Sequence, residues 1–328
     1  VAADCQVSVN TVSDILNRGR SHLYRAETIA GVTAAAQRLG YRPNRSAQAM
    51  RSKRSGVVAM VSSVTSAARD YIWHHHLHSF IVGLSQGLLA SRRHLILLEL
   101  DELASSPDPL AEVFVDGLVV CHQGFARARE LGLPVVWFDA DDRAEDGHVH
   151  RDERAAGALV ARELLARNHR RTVLAIRHDQ AGALAAGVPM HFSLPARVDG
   201  FTATMHAAGA EVMRCDSVSP GAVADCLRRS RATAVATDLT DQFPNLLQAA
   251  ALAGLSVPGR LSLASFDVDG RRYYPDLAFG GAVYDRYAAG QAVAERLDAL
   301  LAEPPRPAPA LALGSVFQAG TTVAEAAP

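Results

Sequence analysis

Cysteine is scarce in this 328-residue chain: Cys5, Cys121, Cys215 and Cys226 stand far apart, with no CxxC spacing. Such a scatter supports neither a zinc site nor a disulfide framework, and buried thiols are the expectation. Long apolar runs are missing as well. No stretch approaches the roughly 18 consecutive apolar residues of a membrane helix, and the opening VAADCQVSVN lacks the charged-then-apolar order of a secretory signal. A cytoplasmic address is therefore expected. Neither GxxxxGKS/T nor HExxH occurs, which removes the phosphate-cradling loop and the helical zinc-protease motif. Net charge, at −1, is nearly absent too.

What is present is a 49% hydrophobic composition in a chain long enough for a substantial core and for two or three domains. The near-zero charge conceals an uneven distribution. Residues 1–56 hold nine Arg/Lys against Asp4, Asp14 and Glu27, a net of +6, and the remainder carries −7. A small basic head on an acidic body is the footprint of a nucleic-acid-binding module joined to something else. A merely solvated charged face would explain the charge, but not the pattern within it. In VSVNTVSDILN, Val9, Val12, Ile15 and Leu16 make one narrow apolar stripe, and Ser8 stands where it can cap the first turn. Asn10, Thr11, Ser13, Asp14 and Asn17 fall on the other faces. VAADC upstream reads as the last turns of another helix, with Gln6-Val7 leaving room for a tight turn. That is helix-turn-helix spacing, in which the second helix enters a major groove. Short polar side chains suit it: Asn pairs with adenine, Asp accepts from cytosine, and hydroxyls reach phosphates.

VAADCQVSVNTVSDILNRGR, followed by ETIAGVTAAAQRLGYRPNRSAQAMRSKRSG, resembles the DNA-binding head of the lactose-repressor/galactose-repressor (LacI/GalR) family of bacterial transcription regulators. The resemblance runs through nearly the whole chain. It implies a third head helix from Thr28 to Leu39, then a hinge helix in PNRSAQAMRS that orders on operator DNA. Met50 falls where the family usually has the Leu that wedges into the minor groove, and an unbranched apolar side chain can still unstack a base step. The implied DNA contacts are Ser8, Val9, Asn10, Thr11, Ser13, Asp14 and Asn17 in the head and Asn44, Arg45, Ala47 and Met50 in the hinge. Two departures stand out. The first helix is cut short at Val1, so residues preceding it are expected, and Asp14 replaces the Arg of many members, so base preference is expected to differ.

Beyond Gly56, VVAMV, HLILLE, DGLVVC, PVVWFD, TVLAI, ATAVAT and LSLASF read as strands buried on both faces, alternating with helix-like segments. This βα alternation is too long for one ordinary domain and suggests two parallel sheets. The resemblance implies an α/β chain: a helix-turn-helix head over 1–43, a hinge over 44–55, and a periplasmic-binding-protein-like core over 56–328. The core would consist of two Rossmann-like subdomains, about 56–153 plus 283–313 and about 154–282 plus 314–328, joined by three crossovers. Pro-rich Glu303 to Ala310 would be a surface connection before the last crossover.

An effector is implied in the cleft between the subdomains. Arg197, in ARVDGF, matches the family arginine that grips ligand oxygens, and Asp267, in SFDVDG, matches an aspartate at a strand end. Asp139 in VVWFDA and Tyr284 join the same pocket, as does Asp152, the Asp of a DN-type segment that here reads Asp-Glu. For any one of these, a surface ion pair is the rival reading. The family's Asn-Asp after the ATAVAT-like strand is replaced by Leu239-Thr240, flanked by Asp238 and Asp241, which implies an atypical ligand or one bound with fewer amide contacts. WHHHLH lies at the expected cleft mouth, where Trp73 would contact the ligand. His74 and His78 have a helical spacing compatible with metal, but no third ligand is nearby, so solvated or effector-contacting histidines are preferred.

Two further classes compete with this reading. Gly83-Leu84-Ser85-Gln86-Gly87 satisfies the GxSxG of a hydrolase elbow, but Leu77, Phe80, Ile81, Leu84 and Leu88 put it inside a continuous amphipathic helix. A periplasmic-type solute-binding protein would share the core, but it would lack the basic head and need an export signal. The reading that emerges is a homodimeric DNA-binding regulator, a repressor, without cofactor. It would bind a near-palindromic operator and respond to a sugar or sugar-like effector.

Overall fold

A computed structural model of the chain describes residues 1–41, 49, 53–62, 72–99, 103, 105–106, 110, 113–121, 125–140, 145–188, 190–268 and 276–327, without the side chains of 72–76 and 126. It divides into one unit of Val1–Val57 with Ala111–Asp116, and a second of Val58–Leu110 with Gly117–Pro328.

In the first unit a single helical turn, Cys5 N–H to Val1 O at 3.0 Å, stands where the end of a helix was expected, and Gln6 closes it at a φ of 53°. Helix α1 (Val9–Leu16) follows, with the Ser8 hydroxyl accepting from the Thr11 amide at 2.9 Å. That bond satisfies one of the helix's otherwise orphaned N–H groups. The apolar stripe is narrower than expected. Val12 is buried and Ile15 and Leu16 are half-buried, but Val9, in the first turn at the edge of the stripe, is 75% exposed. Helix α2 (Ala26–Arg38) begins two residues before Thr28 and buries Val32, Ala35 and Ala36, an i, i+3, i+4 set facing one way.

The second unit contains two six-stranded sheets with helices on their faces. The first has the order β11 (Leu311–Leu313), β5 (His148–Arg151), β4 (Val135–Phe138), β3 (Gly117–Cys121), β1 (Val57–Ser62), β2 (His94–Glu99). The second has the order β12 (Val316–Gln318), β10 (Gly280–Val283), β9 (Ser262–Asp267), β8 (Ala234–Leu239), β6 (Arg171–Ala175), β7 (Glu211–Cys215). Parallel ladders join β1, β3, β4, β5 and β11, and likewise β7, β6, β8, β9 and β10. The edge pair β10/β12 is antiparallel, a departure from the all-parallel expectation that doubly wound sheets commonly show. The chain passes between sheets after β5, after β10 and between β11 and β12. HLILLE does not form a strand buried on both faces. It is the edge strand β2, with His94 exposed and Leu97 60% exposed.

In the first layer, helix α3 (Ile72–Ala90) and helix α9 (Arg286–Leu300) pack on each other and the sheet, with the Phe80 and Phe138 rings stacked at 4.0 Å. Gly83 lets these helices touch, because a Cβ there would collide with the Tyr287 carbonyl oxygen. The GxSxG sequence is thus a helix-packing surface, not a strand-to-helix turn. On the second sheet, α4 (Glu153–Ala166) and α6 (Ser193–Ala207) cover one face with Val160, Leu164, Phe201 and Met205. Helices α7 (Pro220–Ser230) and α8 (Phe243–Leu252) cover the other with Val223, Leu227, Phe243 and Leu246. Helix α5 (His178–Ala186) follows β6. Cys121, Cys215 and Cys226 are buried free thiols and Cys5 is half-buried. Among the described residues no helix is long and apolar enough to cross a membrane.

Candidate functional site

In parallel sheets, side chains just beyond the strand carboxyl ends converge, and ligands bind there. Here the ends of β4, β5, β8 and β9 bring together Asp139, Arg151, Asp238 and Asp267 around a cavity of about 240 Å³, just below the roughly 300–1,000 Å³ range of most small-molecule sites. Leu77, Phe138, Met190, Leu194 and Leu239 supply apolar wall, and Arg177, Gln180 and Asp241 add polar lining.

The cavity's charges are organised into one network. Arg197, on α6, is 2% exposed. Its Nε and Nη2 donate to the two oxygens of Glu153 at 2.6 and 2.8 Å, Nη1 donates to Asp238 at 2.8 Å, and Nη2 also reaches Asp267 at 3.1 Å. Arg151 donates from Nε to Asp139 at 2.8 Å and from Nη1 to Asp267 at 2.8 Å, with Nη2 2.9 Å from Glu153. Arg286 pairs with the other oxygen of Asp267 and donates to the Val268 carbonyl at 3.1 Å. Burial works against the charge of Arg197 and Arg151. The surrounding carboxylates, Glu153 foremost for Arg197 and Asp139 for Arg151, more than offset it and raise both pKa values above the ordinary guanidinium value. The Tyr284 ring lies 4.9 Å from the Arg151 guanidinium carbon and 4.3 Å from that of Arg286, and burial pushes its hydroxyl up to about 12.

Of the residues expected in this pocket, Asp139, Arg197, Asp267 and Tyr284 line it. Asp152 does not: its carboxylate caps α4, accepting from the Ala155 amide at 2.9 Å, as a short acid before a helix will. Its neighbours Arg151 and Glu153 point into the network instead. The Trp73 side chain lies outside the described residues, as do those of His74, His75 and His76, while His78 is exposed. Arg151, Asp238 and His191 line the cavity, and Glu153 and Arg286 join its charge network, without having been expected there. The available signal was the Asp-Glu in place of Asp-Asn and the Asp238 before Leu239, each an extra buried acid that requires a base.

In the head, Asn10 and Val9 are exposed on the outer surface of α1, and Ser8 and Thr11 are joined by a 2.9 Å hydroxyl contact. Ser13 is half-buried. Asp14 does not face outward. It accepts from the Tyr24 hydroxyl at 2.9 Å and pairs with Arg18 at 3.0 Å, and these bonds, Tyr24 first, hold its pKa below the ordinary 3.8. Asn17 donates to the Tyr41 hydroxyl at 3.3 Å. Asn44, Arg45, Ala47 and Met50 lie outside the described residues.

Residues 161–316 match the periplasmic binding protein-like domain family. The maltose regulon regulatory protein MalI of Escherichia coli (strain K12) is 28% identical over 216 residues, 62% of this chain and 58% of that protein. The chain thus spans less than two thirds of that relative's length. Among solved structures, a lac repressor dimer bound to operator and the anti-inducer ONPF superposes with a TM-score of 0.73 at 18% identity, covering 98% of this chain and 97% of that one. A complex of the transcriptional regulator CelR with cellobiose superposes with a TM-score of 0.64 at 19% identity, covering 98% of both. At these identities the likeness is one of fold.

Proposed function

We propose that this chain, a member of the LacI/GalR family, is a sequence-specific DNA-binding transcriptional regulator, a repressor, controlled by a small molecule held between the two layers of its core. The observation that carries this is the outer face of α1: exposed Asn10 and Val9 on a capped helix within a segment of net charge +6. Asn10 offers a bidentate pair to adenine, Val9 an apolar contact for a thymine methyl, and the surrounding arginines neutralise phosphates. Asp14 and Asn17 act behind that face by tying α1 to Tyr24 and Tyr41. The hinge residues Asn44, Arg45, Ala47 and Met50 are assigned to the minor groove on the family resemblance.

The effector belongs in the cleft, against Asp139, Asp267 and Tyr284, which line the cavity; Trp73 is assigned to it on the family resemblance alone. A sugar or sugar-like molecule suits those carboxylates, as the CelR–cellobiose complex illustrates for a protein of the same fold. Two copies of the chain would present two heads to a near-palindromic operator. A solute-binding protein would have no use for the basic head, and a cytoplasmic location follows from work on DNA.

The test is selection of duplexes from a random pool by the full chain. Enrichment of a near-palindrome, bound with steep salt dependence, is expected. Asn10→Ala should relax preference at one base pair by about 1–3 kcal/mol. Failure to enrich any sequence, or salt-insensitive binding, overturns the regulator reading.

A further inference from the structure

The network divides by the layer its members come from. Arg197 takes its partners Glu153, Asp238 and Asp267 from α4, β8 and β9, all on the second sheet's side. Arg151 behaves differently. It ends β5 of the first sheet, folds back onto Asp139 beside β4, and with its remaining nitrogens reaches Asp267 at 2.8 Å and Glu153 at 2.9 Å on the other layer. Asp139 makes a second connection. Its φ of 52° lies in the left-handed region that non-glycine residues seldom occupy. Its backbone carbonyl accepts from Nε2 of His191, in the segment before α6, at 2.8 Å. One residue thus grips the opposite layer twice, through its carboxylate by way of Arg151 and through its carbonyl directly.

We propose that Arg151 and Asp139 form a built-in latch that holds the cleft closed without effector, so that an effector acts by competing with Arg151 for Asp267. The competition rests on the proposed function; the latch itself rests on the contacts. Buried ion pairs contribute little net stability, since desolvation of the charges consumes most of the attraction, so stabilisation alone explains the cluster poorly. A guanidinium fork fixes geometry well, because its donors are rigid and can serve two carboxylates at once. Both oxygens of Asp267 are engaged by guanidinium groups, Oδ2 by Arg151 and Arg197 and Oδ1 by Arg286. A polyhydroxylated ligand that takes one of these acceptors must displace a donor. Arg197 belongs to the second layer, whereas Arg151 and Arg286, the latter opening α9 of the first layer, reach Asp267 across the cleft. Displacing Arg151 removes the link that also engages Asp139 and Glu153, and leaves Arg286 and the His191 bond to hold the layers.

The experiment measures closure in the full chain, without DNA or effector, by electron–electron distance spectroscopy. Nitroxides are placed at Glu130→Cys and Ala185→Cys, exposed positions one in each layer, in a Cys5→Ser background whose other cysteines are buried. The wild type is expected to give one narrow distance and Arg151→Gln a second, longer population. Arg151→Lys should be intermediate, because an ammonium cannot span both carboxylates. Asp238→Asn, which removes a charge on the second layer alone, should keep the wild-type distribution. Wild-type distributions from both Arg151 variants overturn the latch, and so does equal broadening by Asp238→Asn, which would mark general loosening. Should Arg151→Gln fail to fold, Arg151→Lys, which keeps the charge, decides the question. A chain that opens on Arg151 substitution but enriches no DNA keeps the latch and loses the regulator reading.

Discussion

Replacing Arg197 by methionine removes a guanidinium and retains most of the stem that packs among α4 and α6. Glu153 then loses bonds of 2.6 and 2.8 Å and Asp238 one of 2.8 Å, while Asp267 keeps Arg151 and Arg286. Breaking a buried pair from one side costs about 3–5 kcal/mol, because a carboxylate left behind has given up water; here Asp238 loses its guanidinium, and Glu153 keeps only Arg151 at 2.9 Å. For a domain of this size each kcal/mol lowers the melting temperature by about 2–4 °C, so a fall of about 6–20 °C is expected. Calorimetry on the ligand-free chain at neutral pH measures it. A side chain that served only to grip a ligand would leave the ligand-free melting temperature untouched. The combination Arg197→Met, Glu153→Gln, Asp238→Asn removes the stranded charges and should recover much of the loss. An unchanged melting temperature in Arg197→Met refutes the structural role, and a combination less stable than the single variant places the loss in packing instead of charge.

Acid should weaken the second layer through His169, which is buried with Nδ1 2.8 Å from the Thr233 hydroxyl and Nε2 3.0 Å from the Ala324 carbonyl. Burial holds its pKa below the ordinary 6.5, so the unfolded chain takes up the proton first. The contribution is complete above 6.5 and lost as pH falls through the lowered folded value; melting curves between about pH 8 and about pH 5 should fall more steeply for the wild type than for His169→Asn. Gly83→Ala should destabilise the first layer by about 1–3 kcal/mol or more, since the new methyl meets the Tyr287 backbone, whereas Ser85→Ala in the same motif should leave the melting temperature nearly unchanged.

The long central strands were legible because largely apolar runs such as VVAMV and LSLASF are buried on both faces and announce themselves locally. Strands β5 (HVHR), β11 (LAL) and β12 (VFQ) were not, being three or four residues long and recognisable as strands only by their partners. HLILLE misled for the converse reason: its composition suits a central strand, but its position at the sheet edge leaves Leu97 in solvent.

The sequence alone determined the basic head, the capped polar helix α1, the α3 helix that absorbs GxSxG, and the identity of Asp139, Arg197 and Asp267 as members of one pocket. Each of these depends on spacing within a short window or on a matched motif. Tertiary structure alone decided how the charges are spent. Asp14 and Arg18 are neighbours on α1, but it is Tyr24, from beyond the helix, that turns the carboxylate inward. Asp152 and Arg151 adjoin in the chain, and one caps a helix while the other crosses the cleft. The Arg151–Asp267 contact spans 116 residues, and it forms only because the crossovers bring the carboxyl ends of β5 and β9 face to face, an arrangement set by burying both sheets' helices and invisible in any local pattern of residues.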